Sequence, residues 1–279
     1  MLKKTAKFAA ILGVVGYLGF CGAVYCFPEL FFYAPSSEKS DLAKAKADGF
    51  NAEEVTYKSA DGTELYGWYV KPSSKDKVIV YFHGNAYNIE AFYHKLIPFV
   101  KAGYGVFIGE YRGFGGIKGN LRQKNLGDDA VAAVKYLQSE GWRNKDMILY
   151  GMSLGSYTSS YVAKTLGRQD PFAALVLEVP FDSVYNVVRQ RFWPVFPFNL
   201  IIKDRYDNTE LLAETDLPVL VHVASKDKVV PPERAKKLFW SLPNRKEIEV
   251  YQGAGHSELY DYKNWQDILT WLEKNEKTE

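Results

Sequence analysis

Cysteine is almost missing from this chain: its 279 residues contain two, Cys21 and Cys26, and both lie in one N-terminal apolar stretch. No disulfide framework can be read for the folded part, and cysteine usage does not identify a compartment. A large excess of charge of one sign is missing as well. The 35 basic and 33 acidic residues nearly cancel, and no dense basic stripe runs through the folded segments, which argues against a nucleic-acid partner. A phosphate loop is also lacking, because Tyr111-Arg112-Gly113-Phe114-Gly115-Gly116 has neither G-x-G-x-x-G spacing nor the Walker lysine. That segment reads instead as a wall of a cleft. What is present is apolar material: 47% hydrophobic residues against 24% charged ones suit one main domain with a large core plus a short appendage.

The appendage is the N-terminus. Phe8 to Phe27 carries no charge, and at about 1.5 Å per residue a helix of that length spans the roughly 30 Å hydrocarbon core of a bilayer. Lys3, Lys4 and Lys7 precede it, so the positive-inside rule puts the N-terminus in the cytoplasm and the rest of the chain on the outer side. A cleaved signal peptide, giving a secreted protein, is the alternative; the apolar run exceeds the typical signal core of about 7–15 residues. The reading divides the chain into an anchor over 1–30, a linker or short surface helix over 31–50, and a folded domain over 51–279. Oligomeric state is left open.

Within that domain, Glu54 to Lys58 and Leu65 to Val70 flank the turn dipeptide Asp61-Gly62, which predicts a hairpin and an antiparallel start to the sheet. Apolar runs then alternate with helix-length segments: Val78 to Phe82, Gly105 to Glu110, Met147 to Gly151, Leu175 to Val179, Leu217 to Ala224 and Glu247 to Tyr251. Such runs suit strands buried on both faces of a mostly parallel, doubly wound sheet, so the fold class is α/β. Asp128 to Glu140 has Val131, Val134 and Leu137 on one helical face, with Asp128 or Asp129 as the expected N-cap. An aromatic, proline-containing insertion over about 181–214 breaks the rhythm. It reads as a core helix with a packed loop, as a small cap, or as both.

The chemistry starts at Gly151-Met152-Ser153-Leu154-Gly155, a G-x-S-x-G element between an apolar run and a helical one. A sharp strand-to-helix turn exposes the serine, but its hydroxyl is a weak nucleophile without a base and an acid to orient that base. The chain has four histidines, His83, His94, His222 and His256. His256, in the loop Gly253-Ala254-Gly255-His256 after the last strand, is the expected base, with the others structural, buried in a strand or on a helix surface. Asp227, directly after an apolar strand, is the expected acid; Asp182 is the rival, with a helix-capping role as its plainer reading. The backbone N–H groups of Leu154 and Asn85 are the expected oxyanion donors.

Five motifs in order, Phe82-His83-Gly84-Asn85-Ala86, Tyr111-Arg112-Gly113-Phe114-Gly115, Gly151-Met152-Ser153-Leu154-Gly155, Ser225-Lys226-Asp227 and Gly253-Ala254-Gly255-His256, make the chain resemble the α/β-hydrolase superfamily over nearly everything after residue 50. It is most similar to the single-anchor group of bem-type and serine-aminopeptidase-like hydrolases. Tyr87 stands where that group has the second glycine of H-G-N-A-G-N, and Ile117 where serine is common. The resemblance implies ester or thioester hydrolysis through an acyl-enzyme, with no cofactor and no metal. Beside a membrane anchor, the aromatic insertion points to small-molecule acyl esters or lipids as substrates. Tyr87, Phe114, Met152, Phe192 and Trp193 are the expected substrate contacts. A serine peptidase and a non-catalytic scaffold are the other readings.

Overall fold

The apolar runs become the strands of one sheet. The computed structural model describes residues 2–192, 194, 196–243 and 245–276, and its ten strands are β1 (Ala34–Pro35), β2 (Glu53–Lys58), β3 (Glu64–Val70), β4 (Val78–Phe82), β5 (Ala86–Tyr87), β6 (Gly105–Gly109), β7 (Met147–Met152), β8 (Ala174–Glu178), β9 (Val219–Ala224) and β10 (Lys246–Tyr251). Eight form a sheet in the order β10-β9-β8-β7-β4-β6-β3-β2, and β1 pairs with β5 in a small second one. From β10 to β6 all pairings are parallel; β3 is antiparallel to both β6 and β2. With helices between the parallel strands, this is the α/β-hydrolase fold with the antiparallel start that the hairpin dipeptide predicts.

Strand periodicity explains why the central runs are apolar throughout. In β4, Val78, Val80 and Phe82 enter one hydrophobic cluster while Ile79 and Tyr81 enter another. Side chains alternate across a strand, so a sheet covered on both faces needs apolar residues at every position. The edge strand β10 differs: Glu247 and Glu249 alternate with better-covered residues, which keeps charge on an otherwise open sheet edge.

One helix boundary departs from expectation. The helix expected from Asp128 runs Gln123–Ser139, and Arg122 at its cap position makes no side-chain cap bond. Its acids are occupied elsewhere: Asp128 pairs with Lys124 one turn earlier, and the buried Asp129 accepts the Arg112 backbone N–H and both Nε and Nη2 of its guanidinium. The linker contains a short helix, Leu42–Ala47, capped by Asp41.

The N-terminal helix is continuous over Leu2–Cys26, and Thr5–Cys26 is long and apolar enough to cross a membrane. The 181–214 insertion folds into three short helices, Val184–Phe192, Phe198–Ile201 and Asn208–Leu212, with an isolated bridge between Ser183 and Asp207 at its base. Phe198, Ile202 and Tyr206 are buried, which fits packing against the body of the protein.

His222 lies fully buried in β9, and this burial pushes its imidazole down to about 4 from 6.5, against the opposing pull of Glu178. The unfolded chain takes up that proton near 6.5 and the folded chain only near 4, so the stability it contributes is full above 6.5 and falls as pH drops towards 4. The window is worth on the order of 3 kcal/mol. Urea unfolding at pH 7.5 and 4.5, run on wild type and on His222→Asn, is expected to show a smaller loss on acidification in the variant; equal losses would contradict this role.

Candidate active site

The turn after β7 is under strain. Ser153 has φ 53° and ψ −115°, a backbone conformation that costs a non-glycine residue about 1–3 kcal/mol and persists only where its surroundings hold it. Here its N–H donates to Glu178 O at 2.9 Å on the neighbouring strand β8, and its carbonyl accepts the Ser156 N–H at 2.9 Å. The flanking glycines have a steric cause. A Cβ on Gly155 would overlap the carbonyl oxygen of Phe82, and one on Gly151 would overlap that of Gly155. The helix Leu154–Leu166 therefore starts pressed against the end of β4, with Leu154 as its first residue and so with an N–H that has no intrahelical acceptor.

Two other loops bring the remaining groups to this turn. His256 Nε2 lies 2.9 Å from Ser153 Oγ, and its Nδ1 lies 2.6 Å from Asp227 Oδ2. The other Asp227 oxygen accepts the backbone N–H groups of Val229 and Val230, each at 2.8 Å, so the carboxylate is fixed before it meets the imidazole. With Nδ1–H donating to the carboxylate, Nε2 is the acceptor facing the serine hydroxyl. The two loops are tied together: Lys226 N–H donates to Ala254 O at 2.9 Å, and Gly253 N–H to Ser225 Oγ at 2.8 Å. The Asp227 side chain is nearly inaccessible and that of His256 is 13% exposed, so the imidazole is the more open of the two. Asp182 is engaged elsewhere, accepting from Ser183 N, Asn186 Nδ2 and Arg234 Nη1.

The loop after β4 runs alongside the serine: the position of a Cβ on Gly84 falls 3.7 Å from Ser153 Cβ. His83 bonds within this loop, Nδ1 to Gly84 O at 2.8 Å; its Nε2 is 3.0 Å from Glu110 Oε1 but too poorly aligned for a hydrogen bond. Asn85 is held by the segment that leaves the N-terminal helix. Its side-chain amide donates to Phe32 O at 2.8 Å and its carbonyl accepts the Ala34 N–H at 2.9 Å. One step on, Tyr87 O accepts Ser36 N–H at 2.9 Å in the β1–β5 pairing. The linker, without visible chemistry in the sequence, thus supports the loop beside the serine.

A buried polar group under the turn also escaped sequence reading. Lys95 Nζ meets Glu178 Oε1 at 2.8 Å, and the same carboxylate accepts from Tyr150 OH and Asn264 Nδ2. Burial pushes the Glu178 carboxyl up, but the Lys95 ammonium and the Tyr150 hydroxyl, with His222 beside them, together hold it below its ordinary range. A charged residue inside the apolar run Leu175 to Val179 was the available signal. On the other side, Arg112 binds Asp129, Asp61 and Ser59, clamping the Tyr111–Gly115 loop to the hairpin.

The five expected substrate contacts separate. Tyr87 and Phe192 are exposed. Phe114 is instead fully buried among Tyr33, His83 and Tyr111, and Met152 turns to the far face of the sheet, where its sulfur accepts from Tyr81 OH and Lys95 Nζ; as placed, neither lines an open cleft. The cause is strand alternation for Met152 and the tight Arg112-clamped loop for Phe114. Trp193 lies outside the described residues. Among the described residues, no group of three or more His, Cys, Asp or Glu is arranged to hold a metal ion.

Residues 90–278 match the family model described as the prolyl oligopeptidase family. An uncharacterized protein of Mycobacterium tuberculosis is 31% identical over 221 residues, covering 77% of this chain and 77% of its own length. Protein bem46 of Schizosaccharomyces pombe is 27% identical over 292 residues, covering 95% and 93%. Among solved structures, an esterase of Pyrococcus furiosus superposes with a TM-score of 0.67 at 18% identity, over 87% of this chain and 97% of that one.

The crowding at Gly155 gives a structural prediction. Gly155→Ala should cost roughly 1–3 kcal/mol or more, because the new methyl group meets backbone that cannot rotate away. Gly13→Ala, with nothing within 4 Å of its Cβ, should leave the melting temperature unchanged. Thermal unfolding followed by circular dichroism checks both; equal melting points would contradict the packing account.

Proposed function

The chain belongs to the prolyl oligopeptidase family and is an α/β-hydrolase; from that premise we propose that it is a serine hydrolase cleaving carboxylic esters or thioesters of acyl or lipid-like substrates. The observation that carries the reading is the continuous line from Ser153 Oγ through His256 Nε2 and Nδ1 to Asp227 Oδ2, at 2.9 and 2.6 Å. Ser153 Oγ attacks the acyl carbon while His256 Nε2 takes the hydroxyl proton, and Asp227 stabilises the imidazolium. The N–H groups of Leu154 and Asn85 take the oxyanion, a contribution worth about 3 kcal/mol per donor in comparable sites. The C–O or C–S bond then breaks, His256 passes its proton to the leaving alcohol or thiol, and the acyl group stays on Ser153. Water, losing a proton to His256, attacks the acyl carbon and releases the acid, and the proton returns to Ser153. No step calls for a cofactor.

In this reading the insertion over about 181–214 is a small cap, and its Phe192, with Tyr87 of the loop after β4, is an exposed contact for an apolar acyl chain. The helix Thr5–Cys26 is a single-pass anchor, and Lys3, Lys4 and Lys7 keep the N-terminus cytoplasmic with the domain of residues 51–279 on the outer side. A peptidase reading is favoured by the name of the matched family alone. Acyl p-nitrophenyl esters against peptidyl p-nitroanilides separate the two.

Fluorophosphonate labelling of the full-length protein, with the adduct located by mass spectrometry, tests the proposal. Wild type is expected to label at Ser153, and Ser153→Ala to lose the label. Persistent labelling in the variant, or none in folded wild type, would sink it. Turnover confined to short acyl chains would reject the lipid-like substrate while leaving the nucleophile in place.

A further inference from the structure

The N-terminal helix and the insertion touch through aromatic rings. Phe196 stacks on Tyr17 with centroids 5.8 Å apart and planes within 5°, and meets Phe20 at 5.4 Å. Phe192 and Phe198 close on Phe196 at 6.2 and 6.1 Å, and the Lys203 ammonium lies 3.8 Å over the ring of Tyr25. These contacts occupy the second half of a helix that continues without interruption from Leu2 to Cys26.

Length then imposes a condition. The 22 residues Thr5–Cys26 extend about 33 Å, little more than the roughly 30 Å hydrocarbon core. Thr5 to Gly16, the part before the first ring contact, extends only about 18 Å and cannot cross alone. A helix that crosses must therefore carry Tyr17 and Phe20 into hydrocarbon, and the ring stacked on them goes with it. Resting on the reading of this helix as an anchor, we infer that the tip of the insertion, Phe192 with Phe196 to Ile201, enters the bilayer leaflet beside the anchor, so that the catalytic domain is held to lipid at two places.

The surface of the tip suits that solvent. Leu200 is 73% exposed and Phe192 44%, and on the anchor side Leu30 is 74% and Phe31 43% exposed. Phe192 and Phe31 reach the N-terminal helix through ring contacts with Phe196 and Phe20, an apolar face of the kind that marks a membrane or partner contact. Lipid removes this apolar area from water, which favours its burial there. Backbone polar groups at the tip are served internally, Leu200 N–H by Pro197 O and Ile202 N–H by Phe198 O, and the Asn199 amide oxygen accepts from Tyr185 OH. Hydrocarbon requires such internal pairing. Flanking the tip, Arg191, Lys203 and Arg205 are exposed cations on long stems, with Arg205 over the ring of Tyr185; this is the arrangement that meets phosphate headgroups while the stems stay in apolar surroundings. The insertion would then stand where acyl chains already are, and a lipid ester would reach it without passing through water.

Depth measurement on the full chain tests this. With Cys21→Ser and Cys26→Ser as background, single cysteines are introduced by Leu200→Cys, Val14→Cys and Trp240→Cys and labelled with an environment-sensitive fluorophore in vesicles of phosphatidylcholine and phosphatidylglycerol. The labels at 200 and 14 are expected to be quenched by lipids brominated on their acyl chains, and the label at 240, on an exposed side chain, by aqueous iodide only. A label at 200 that follows 240 while 14 is in lipid would overturn the inference and leave the anchor intact. Labels at 14 and 200 both in water would overturn the anchor reading and the inference together. A label at 200 shielded from both quenchers would assign the face to a second copy and equally overturn it. Fluorophosphonate labelling of the same samples reports separately on the hydrolase reading.

Discussion

Ser153 occupies a backbone conformation that its own residue type disfavours, and much of the surrounding structure serves to hold it there. The hold is mechanical on one side, where Gly151 and Gly155 let the following helix press against the end of β4. It is a hydrogen bond on the other, from the serine N–H to Glu178 O. Because Glu178 ends β8 with its side chain on Lys95, the support reaches through the sheet to the opposite face. Loosening any of these contacts would let the turn relax toward ordinary backbone and withdraw the hydroxyl from His256.

Around that turn, buried charge fixes loops. Arg112 ties the Tyr111–Gly115 segment to both the hairpin and the helix Gln123–Ser139. Asp227 accepts two backbone N–H groups and the imidazole, so its loop, the His256 loop and the serine turn share one set of bonds. The Asn85 loop depends on the segment that follows the N-terminal helix: Phe32 and Ala34 bond its side chain and carbonyl. The chain leaving the N-terminal helix is thereby part of the framework of the loop beside Ser153.

Much of this was legible in the sequence where the signal was local. The strand runs, the Asp61-Gly62 hairpin, and a serine turn, acid and histidine that lie within hydrogen-bond reach all follow from short patterns and from the scarcity of histidine. What was not legible depends on contacts distant in sequence. Asp129 looks like a helix cap until Arg112, 17 residues away, claims it. Lys95 and Glu178 are 83 positions apart, and no periodicity pairs them. Met152 and Phe114 sit in conspicuous motifs, but which way a side chain turns at the end of a strand or inside a clamped loop is decided by packing that neither motif encodes. The β1–β5 pairing was hidden because two-residue strands leave no pattern.

The central claim is that Ser153 carries the acyl group between two half-reactions. The most direct measurement is mass analysis of the full-length protein acid-quenched during turnover of p-nitrophenyl butyrate, followed by peptide mapping. The account predicts a butyryl adduct on the peptide containing Ser153, appearing with a burst of p-nitrophenol that matches the enzyme concentration. Steady turnover with no adduct at Ser153, or with the acyl group on another side chain, would contradict it.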